Sequence, residues 1–199
     1  MSGSVWLRSG VVILCASASL AGFSPGSIAA LHGIARAGGR GTVNAVVWLD
    51  APNAPASLSS GKVVLDQRNL SFFPHVLAVR TGTVVDFPNN DRVFHNVFSF
   101  RDGKPFDLGI YPVGVLRHVK FDQTGLSRIF CNIHPGMSAY VMAVDTPYFA
   151  VSDDEGAFTI NSVPPGTYTY HAWRAGGTAQ GGSITVGAAA EAPLTIDWP

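Results

Sequence analysis

Four residues of this chain have side chains that bind soft metal ions, and three of them lie close together. Cys131, His134 and Met137 offer a thiolate, an imidazole and a thioether within the stretch Cys-Asn-Ile-His-Pro-Gly-Met. A second imidazole, His95, lies upstream in Val-Phe-His-Asn-Val. Two imidazoles and a thiolate in a trigonal set, with a weak axial thioether, are the ligands of a type 1 copper ion. The spacing therefore predicts one copper ion bound by these four residues.

Each of these residues has a simpler explanation when it is taken alone. A lone buried cysteine behaves as a small hydrophobic residue, and a methionine after a turn commonly fills a core. Structural zinc is the chemical rival, but it prefers cysteine and histidine without methionine and usually more than one cysteine. The coincidence of all four donors favours copper.

The ligands must be positioned by a tight loop and a neighbouring strand. Three donors on one short segment converge only if the chain reverses direction, and Pro135-Gly136 supplies such a turn. The fourth donor, His95, must come from another strand of the same sheet structure. Asn96 is placed to fasten the two segments by side-chain hydrogen bonds, and amide donors to the cysteine sulfur raise the reduction potential.

The composition indicates a well-buried protein rich in turns. Hydrophobic residues make up 47% of the 199 residues and charged residues 13%, with Gly 22 and Pro 13. The formal net charge is +0, so neither nucleic acid nor an anionic membrane is expected as a partner. We expect an all-β protein, because no long helix-favouring stretch is present.

The first 30 residues have the pattern of a secretory signal peptide. One positive charge at Arg8 precedes a short apolar segment, and small residues follow up to Ala30. We expect cleavage near Ala29 or Ala30 and a periplasmic or otherwise exported protein. Retention as a membrane anchor is the alternative, and a lipid anchor at Cys15 is disfavoured by the large residue before it. Cleavage would leave Cys131 as the single cysteine, with no disulfide partner.

The rest of the chain divides into a middle region and two flanks. Residues 61–145 contain short apolar runs separated by turn signals, which is typical of an antiparallel sandwich. The predicted strands there lie at Val63–Leu65, Val76–Val79, Val84–Phe87, Val93–Phe100, Val115–Phe121, Ser127–Phe130 and Tyr140–Val144. The flanks, 31–60 and 146–199, contain further strand patterns, and a linker is predicted over 50–61.

The middle region resembles the cupredoxins of the plastocyanin, pseudoazurin and amicyanin type. The matching features are Phe72-Phe-Pro, Phe87-Pro-Asn-Asn, His95-Asn and the loop from Cys131 to Met137, which is most similar in length to that of amicyanin. The resemblance implies a Greek-key β-sandwich of the eight-stranded type. It also implies that His95, Cys131 and His134 are equatorial copper ligands and that Met137 is axial.

The flanks resemble the carboxypeptidase regulatory-like, or transthyretin-like, β-sandwich. The stretches Asp153-Asp-Glu-Gly-Ala-Phe and Pro164-Pro-Gly-Thr-Tyr match the typical end of that family, and His32 to Leu49 matches its beginning. This resemblance implies a smaller second sandwich, with the cupredoxin inserted between its strands. The alternative is an N-terminal extension followed by a separate C-terminal module. Pairing of residues 43–49 with cupredoxin strands would argue against the insertion.

Histidines outside the ligand set are expected to be structural or solvated. His75 alternates with apolar residues and is expected to face inward, while a role near the metal is the less favoured alternative. His118 lies among cationic residues on a predicted strand and is expected to be solvated. His171 is expected to lie at a structural or domain contact.

The predicted use of the copper is transfer of single electrons between redox partners outside the cytoplasm. The resemblance implies a redox protein as the partner, such as a c-type cytochrome or a periplasmic oxidoreductase. A periplasmic copper carrier or storage protein with the same ligands is the alternative. An enzyme is not expected, because catalysis needs an open metal position and the four-ligand set is complete.

Overall fold

The computed structural model describes residues 28–51, 62–100, 102–187 and 193–199. The predicted signal segment up to residue 27 and most of the predicted linker lie outside the described residues. Within the described ranges the chain forms strands, turns and bends only, which confirms the predicted all-β fold. No helix long and apolar enough to cross a membrane occurs among the residues described.

The strands are numbered in chain order. They are β1 (Ala29–Ala37), β2 (Arg40–Gly41), β3 (Val46–Leu49), β4 (Val63–Val64), β5 (Asp66–Arg68), β6 (Ser71–Phe73), β7 (Val76–Arg80), β8 (Thr83–Pro88), β9 (His95–Ser99), β10 (Phe106–Tyr111), β11 (Leu116–Phe121), β12 (Gly125–Phe130), β13 (Ser138–Val144), β14 (Phe149–Val151), β15 (Ala157–Val163), β16 (Gly166–Trp173), β17 (Gln180–Val186) and β18 (Leu194–Trp198).

Eight strands of the middle region form a two-sheet sandwich. One sheet has the order β10-β9-β12-β13-β7, and the other has the order β11-β8-β4. Most neighbours are antiparallel, but β13 pairs parallel with β7 and β4 pairs parallel with β8. A separate hairpin, β5-β6, packs beside this sandwich. Both sheets contribute side chains to one buried core, which includes Phe87 of β8 and Val141 of β13.

A second pair of sheets is built from both flanks. One sheet has the order β15-β1-β18 with β2 beside β1, and the other has the order β14-β3-β16-β17. Strand β3 pairs antiparallel with β14 and β16, both of which follow Tyr148 in the chain. The two sheets share a core that includes Leu49, Ile160 and Trp198. The N-terminal and C-terminal flanks therefore complete each other's sheets.

The two sandwiches meet through a small apolar cluster. Val46 of β3, Val76 of β7, and Met142 and Val144 of β13 are buried in it. The Trp173 ring packs against Tyr140 there, with ring centroids 5.1 Å apart. Because side chains alternate along a strand, Met142 and Val144 face the second sandwich while Val141 and Ala143 face the first core.

Several local predictions differ from the structure. Strand β3 begins at Val46 rather than Val43, because Asn44 adopts a positive φ of 64° in a turn. Strand β10 was not predicted, since its sequence contains Asp107 and Gly109, which are unusual in strands. His75 is exposed rather than inward-facing, because residues 74–75 form a bend before β7 starts.

Candidate metal centre

The predicted ligand loop closes a hairpin between β12 and β13. Phe130 pairs with Ser138, and residues 131–137 connect the two strands. The backbone N–H of Met137 donates to the carbonyl of His134 over 2.9 Å, which closes a β-turn around Pro135 and Gly136. The N–H of Cys131 also donates to the carbonyl of Met137 over 3.4 Å. The reversal expected at Pro135-Gly136 therefore brings the two ends of the loop together.

His95 is the first residue of β9 and lies opposite Tyr111 of β10. Strand β9 also neighbours β12, through the pair Phe98 and Phe130. The start of β9 therefore lies beside the segment that leaves β12, and the chain separation between His95 and Cys131 is bridged within one sheet. The His95 side chain is fully buried.

The structure brings His95, Cys131 and His134 into one cluster. The Cys131 Sγ atom lies 3.9 Å from His95 Nδ1 and 3.7 Å from His134 Nδ1. The two Nδ1 atoms are 3.0 Å apart. Donor atoms that bind one ion at roughly 2.0–2.3 Å lie about 3–4 Å from one another in a trigonal arrangement. The three donors therefore already have the mutual spacing that a single ion requires.

The donor chemistry of this cluster fits a soft cation. Two imidazole nitrogens and a sulfur converge on one point. Among the described residues, these form the one group of three or more His, Cys or acidic side chains that is close enough to hold an ion. Thiolate with imidazole is the donor set that copper and zinc accept, and a thioether nearby favours copper.

Met137 occupies the opposite end of the ligand loop from Cys131. Its side chain is 1% exposed and belongs to the same buried core as Cys131. The thioether is therefore excluded from water on the side of the loop that faces the sandwich. A weak axial ligand needs such a location, because a soft sulfur competes poorly with water for an exposed ion.

Asn96 connects the two ligand segments, as its position next to His95 suggests. Its backbone N–H lies 3.5 Å from Cys131 Sγ, and its side-chain oxygen accepts a bond from the Asn132 N–H over 3.4 Å. Its side-chain nitrogen donates to Asp107 Oδ1 of β10 over 2.8 Å. An N–H group aimed at the sulfur stabilises negative charge on it and so tunes the metal.

Asp91 lies beside the cluster, and the sequence pattern does not predict it. Its Oδ2 atom lies 3.0 Å from His95 Nε2, the ring nitrogen that faces away from the cluster. Hydrogen bonds from the backbone N–H of Leu70, and with smaller effects those from Arg92 and His95, lower the Asp91 pKa to about 2. An acidic residue four positions before a ligand histidine, inside a predicted turn, was the signal available in the sequence.

A buried polar network lies beneath His95. Tyr111 donates its hydroxyl to the carbonyl of Phe87 over 3.1 Å and accepts a bond from Gln67 Nε2. Burial raises the pKa of Tyr111, and the Gln67 hydrogen bond opposes this effect. Asn89 adds a bond to the Tyr111 carbonyl over 3.2 Å. These contacts fix β10 against the loop that precedes His95.

The surface around the loop end of the sandwich is apolar. His134 is half-buried, and the side chain of Ile133 next to it is 41% exposed. Phe94, just before His95, is 56% exposed. Val113 is 51% exposed on the loop after β10, and this loop is joined to the loop before β9 by the Gly114 N–H bond to Asn89 over 2.7 Å.

The remaining histidines lie outside the cluster. His75 is exposed, with Nδ1 3.1 Å from the carbonyl oxygen of Ser138. His118 is exposed on β11, as expected. His171 stacks on Trp48 with ring centroids 5.3 Å apart, and its Nε2 lies 2.9 Å from Asp50 Oδ2.

One family model matches part of this chain. A search of curated proteins found no match to the chain. The model is described as domain II of polysaccharide lyase family 4, and it covers residues 139–194. These residues include most of β13 of the first sandwich and β14 to β17 of the second. The transthyretin-like assignment of the flanks stays a prediction.

Solved structures similar to this chain include several copper proteins. A purple cupredoxin from Nitrosopumilus maritimus is 22% identical with a TM-score of 0.39, over 42% of this chain and 100% of the other. A reduced tryptophan-to-tyrosine mutant of amicyanin is 19% identical with a TM-score of 0.40, over 49% of this chain and 98% of the other.

A copper-containing nitrite reductase from Thermus scotoductus is also similar. It is 24% identical with a TM-score of 0.41, over 48% of this chain and 25% of the reductase.

Proposed function

We propose that this chain binds one type 1 copper ion and transfers single electrons between redox partners. The proposed equatorial ligands are His95, Cys131 and His134, and the proposed axial ligand is Met137. The observation that carries the proposal is the convergence of the three equatorial donors within 4.8 Å of one another. A bound copper ion would supply a one-electron couple between Cu(II) and Cu(I).

The residues around the cluster are suited to holding a site that changes little between two oxidation states. Cys131 and Met137 supply the soft sulfur donors that Cu(I) prefers, and the imidazoles suit both states. His95 is fixed by its strand pairing with Tyr111, and Cys131 is contacted by the N–H of Asn96, which joins the two proposed ligand segments. A rigid donor set that is acceptable to both states keeps the reorganisation energy of electron transfer small.

His134 is the proposed point of electron exit. It is the partly exposed member of the cluster, while His95 and Cys131 are buried. The exposed side chains of Ile133 and Phe94 lie next to the ligands in the chain and offer a small apolar docking area. Weak, short-lived redox complexes use interfaces of this kind. A c-type cytochrome or a periplasmic oxidoreductase is the proposed partner.

We also propose an exported protein with the cupredoxin carried as an insertion. The first 30 residues support export by their signal-like pattern. Residues 61–145 would be the cupredoxin domain, and residues 31–60 with 146–199 would form the second sandwich. The pairing of β3 with β14 and β16 supports this division, because it joins residues from the two flanks.

Loading the purified apoprotein with Cu(II) tests the copper assignment. We expect one copper per chain, intense absorption near roughly 600 nm and the narrow hyperfine splitting of a copper–thiolate site in electron paramagnetic resonance. Cys131→Ser should abolish the absorption, while His75→Ala should retain it, because His75 lies outside the cluster. A colourless copper-loaded wild type would exclude a type 1 site.

A further inference from the structure

The carboxylate of Asp91 lies behind His95, on the side away from the three converging donors. Its Oδ2 atom is 3.0 Å from His95 Nε2, and the exposed fractions of the two side chains are 9% and 0%. His95 Nδ1 is the nitrogen that lies 3.0 Å from His134 Nδ1 and 3.9 Å from Cys131 Sγ. The two ring nitrogens of His95 therefore have separate partners.

The Asp91 carboxylate is held in place independently of His95. The backbone N–H of Leu70 donates to Oδ2 over 2.7 Å, and the N–H of Arg92 donates to Oδ1 over 2.8 Å. The Asp91 N–H in turn donates to Asn89 Oδ1 over 3.1 Å. Because backbone groups fix both carboxylate oxygens, the position of His95 follows from the position of Asp91.

An ionised carboxylate can only accept hydrogen bonds, so its partner nitrogen must carry the proton. In a neutral imidazole, a proton on Nε2 leaves the lone pair on Nδ1. A carboxylate behind a ligand histidine also increases the basicity of the ring. The contact thus selects the tautomer in which Nδ1 is ready to bind a cation.

We propose that Asp91 is a positioning residue for the metal: it holds His95 in the Nε2–H tautomer, aims Nδ1 into the cluster and links the site to the β5-β6 hairpin. The proposal rests on the proposed function, because it assigns Asp91 a role toward the same ion. The link to the hairpin comes from Leu70, which lies in the turn between β5 and β6 and shares Oδ2 with His95.

The hairpin is anchored to the loop before His95 at more than this one point. The Asn90 N–H donates to the carbonyl of Gln67 over 3.0 Å, and the Asn90 side chain donates to Asp66 Oδ1 over 2.9 Å. Gln67 is fully buried and donates to the carbonyl of Pro88 over 3.0 Å. The hairpin therefore holds residues 88–91 in place, and within this segment Asp91 contacts the proposed ligand His95.

The test compares Asp91→Ala, Asp91→Asn and Asp122→Ala. Asp91→Ala removes the acceptor, while Asp91→Asn keeps an oxygen acceptor and removes the charge. Asp122 is a matched control, because its exposed carboxylate pairs with Lys104 over 2.8 Å and with no ligand. The tautomer of His95 is measured in each metal-free protein by nitrogen-15 NMR of the imidazole, and Cu(II) affinity is measured by competition with a chelator.

We expect the Nε2–H tautomer in the wild type, Asp122→Ala and Asp91→Asn, and a mixture in Asp91→Ala. Copper affinity should fall by roughly 10- to 100-fold in Asp91→Ala and less in Asp91→Asn. The reduction potential of Asp91→Asn should rise, because loss of a nearby negative charge disfavours Cu(II). If Asp91→Ala does not fold, the wild-type tautomer and the Asp91→Asn potential decide the question.

A wild-type His95 that carries its proton on Nδ1 would overturn the proposal. So would an Asp91→Ala protein that matches Asp122→Ala in both tautomer and copper affinity, or an Asp91→Asn protein with an unchanged potential. A wild type that takes up no copper, yet has an Nε2–H tautomer lost in Asp91→Ala, would refute the proposed function while supporting the positioning of His95.

Discussion

At the scale of single residues, Met137 and Met142 can be compared to test whether a thioether binds the metal. Both methionines are buried, at 1% and 6% exposure, but Met137 closes the ligand loop while Met142 faces the second sandwich. Leucine has nearly the same volume as methionine, so either substitution should cost less than about 1.5 kcal/mol of unfolding free energy. Comparing the two leucine variants therefore separates the effect of losing the thioether from the effect of changed packing.

We expect Met137→Leu to raise the reduction potential of the copper-loaded protein, because an aliphatic side chain offers no axial donor and makes the site more apolar, and both changes disfavour the more highly charged Cu(II). Met142→Leu should leave the potential at the wild-type value. Protein-film voltammetry measures both variants under one set of conditions. Equal shifts in the two variants would exclude Met137 as an axial ligand.

Tyr111 gives the protein a pH dependence on the alkaline side. Burial raises its pKa in the folded state above the ordinary tyrosine value of about 10. A raised folded pKa contributes stability that is fully present below about pH 10 and is lost as the pH rises further. Tyr111→Phe lacks this titration and also loses the hydroxyl bonds to Phe87 and Gln67.

Tyr111→Phe should therefore be less stable than the wild type at pH 7 by about 1–3 kcal/mol. The difference should narrow above about pH 10, where the wild type loses its tyrosine contribution. Urea unfolding of the metal-free proteins between neutral and alkaline pH measures this difference. A gap that stays constant with pH would contradict the explanation.

The residues of the cluster were predictable because their chemistry is local in the sequence. Cys131 and His134 lie on one loop that ends in Met137, and the types of these donors specify the ion more than the fold does. Asp91 and Gln67 were not predictable in the same way, since turn residues and strand glutamines have many uses. Their roles arise only when the β5-β6 hairpin is placed against the loop before His95, which is a contact between distant segments.

At the scale of elements, Asn96 joins β9, β10 and the ligand loop. Its side chain is 1% exposed and bonds both Asp107 and the Asn132 N–H. Asn96→Ala should lower the unfolding free energy by about 1–3 kcal/mol, because it leaves buried groups without partners. It should also speed copper loss to a chelator, since the two ligand segments are no longer fastened.

Asn161→Ala is the control for this prediction. Asn161 is exposed on β15 of the second sandwich, so the cost of its substitution should stay within about 0.5 kcal/mol. Chemical unfolding and stopped-flow copper release compare the two variants. Similar release rates in both would show that Asn96 does not fasten the site.

Element boundaries were predictable where apolar residues alternate and not where polar residues interrupt a strand. Strands β8, β11 and β13 agree closely with the predicted runs, because their buried faces are continuous in sequence. Strand β10 carries Asp107 and Gly109, and a change of register lies between Asp107 and Ile110. That irregularity permits Asp107 to accept a hydrogen bond from Asn96. The residue that made the strand hard to predict therefore also contacts the site.

At the scale of the whole molecule, the two sandwiches are joined by the cluster around Trp173. The Trp173 ring contacts Tyr140 and packs with Val46, Val76 and Met142. Trp173→Ala should cost up to about 3 kcal/mol, the lower end for a buried tryptophan, because its ring is only partly buried. We expect wild-type unfolding in a single transition and two separate transitions in the variant.

Differential scanning calorimetry of the metal-free proteins measures this coupling. Phe73→Ala is the control, because Phe73 is 54% exposed and its ring lies against Arg68 of β5, outside the cluster around Trp173. A single transition in Trp173→Ala would mean that the sandwiches unfold together without this cluster. Two transitions in the wild type would mean that they are independent from the start.

The burial of the site within the molecule favours an electron shuttle over a copper carrier. His95 and Cys131 are 0% and 4% exposed, so two of the three proposed equatorial ligands are closed to an approaching acceptor. We expect fast electron self-exchange together with slow copper transfer to an apo-acceptor protein. Rapid copper transfer with slow self-exchange would favour the carrier instead.

Both faces of strand β13 are buried, since its alternate side chains belong to two different cores. Insertion or deletion of one residue within it would exchange the two sets of side chains and disrupt both sandwiches. The ligand loop before it is closed by the pair of Phe130 and Ser138, so residues can be added or removed there without changing that register. Evolution of the reduction potential in relatives of this chain should therefore proceed by changes in loop length and composition, while the length of β13 stays constant.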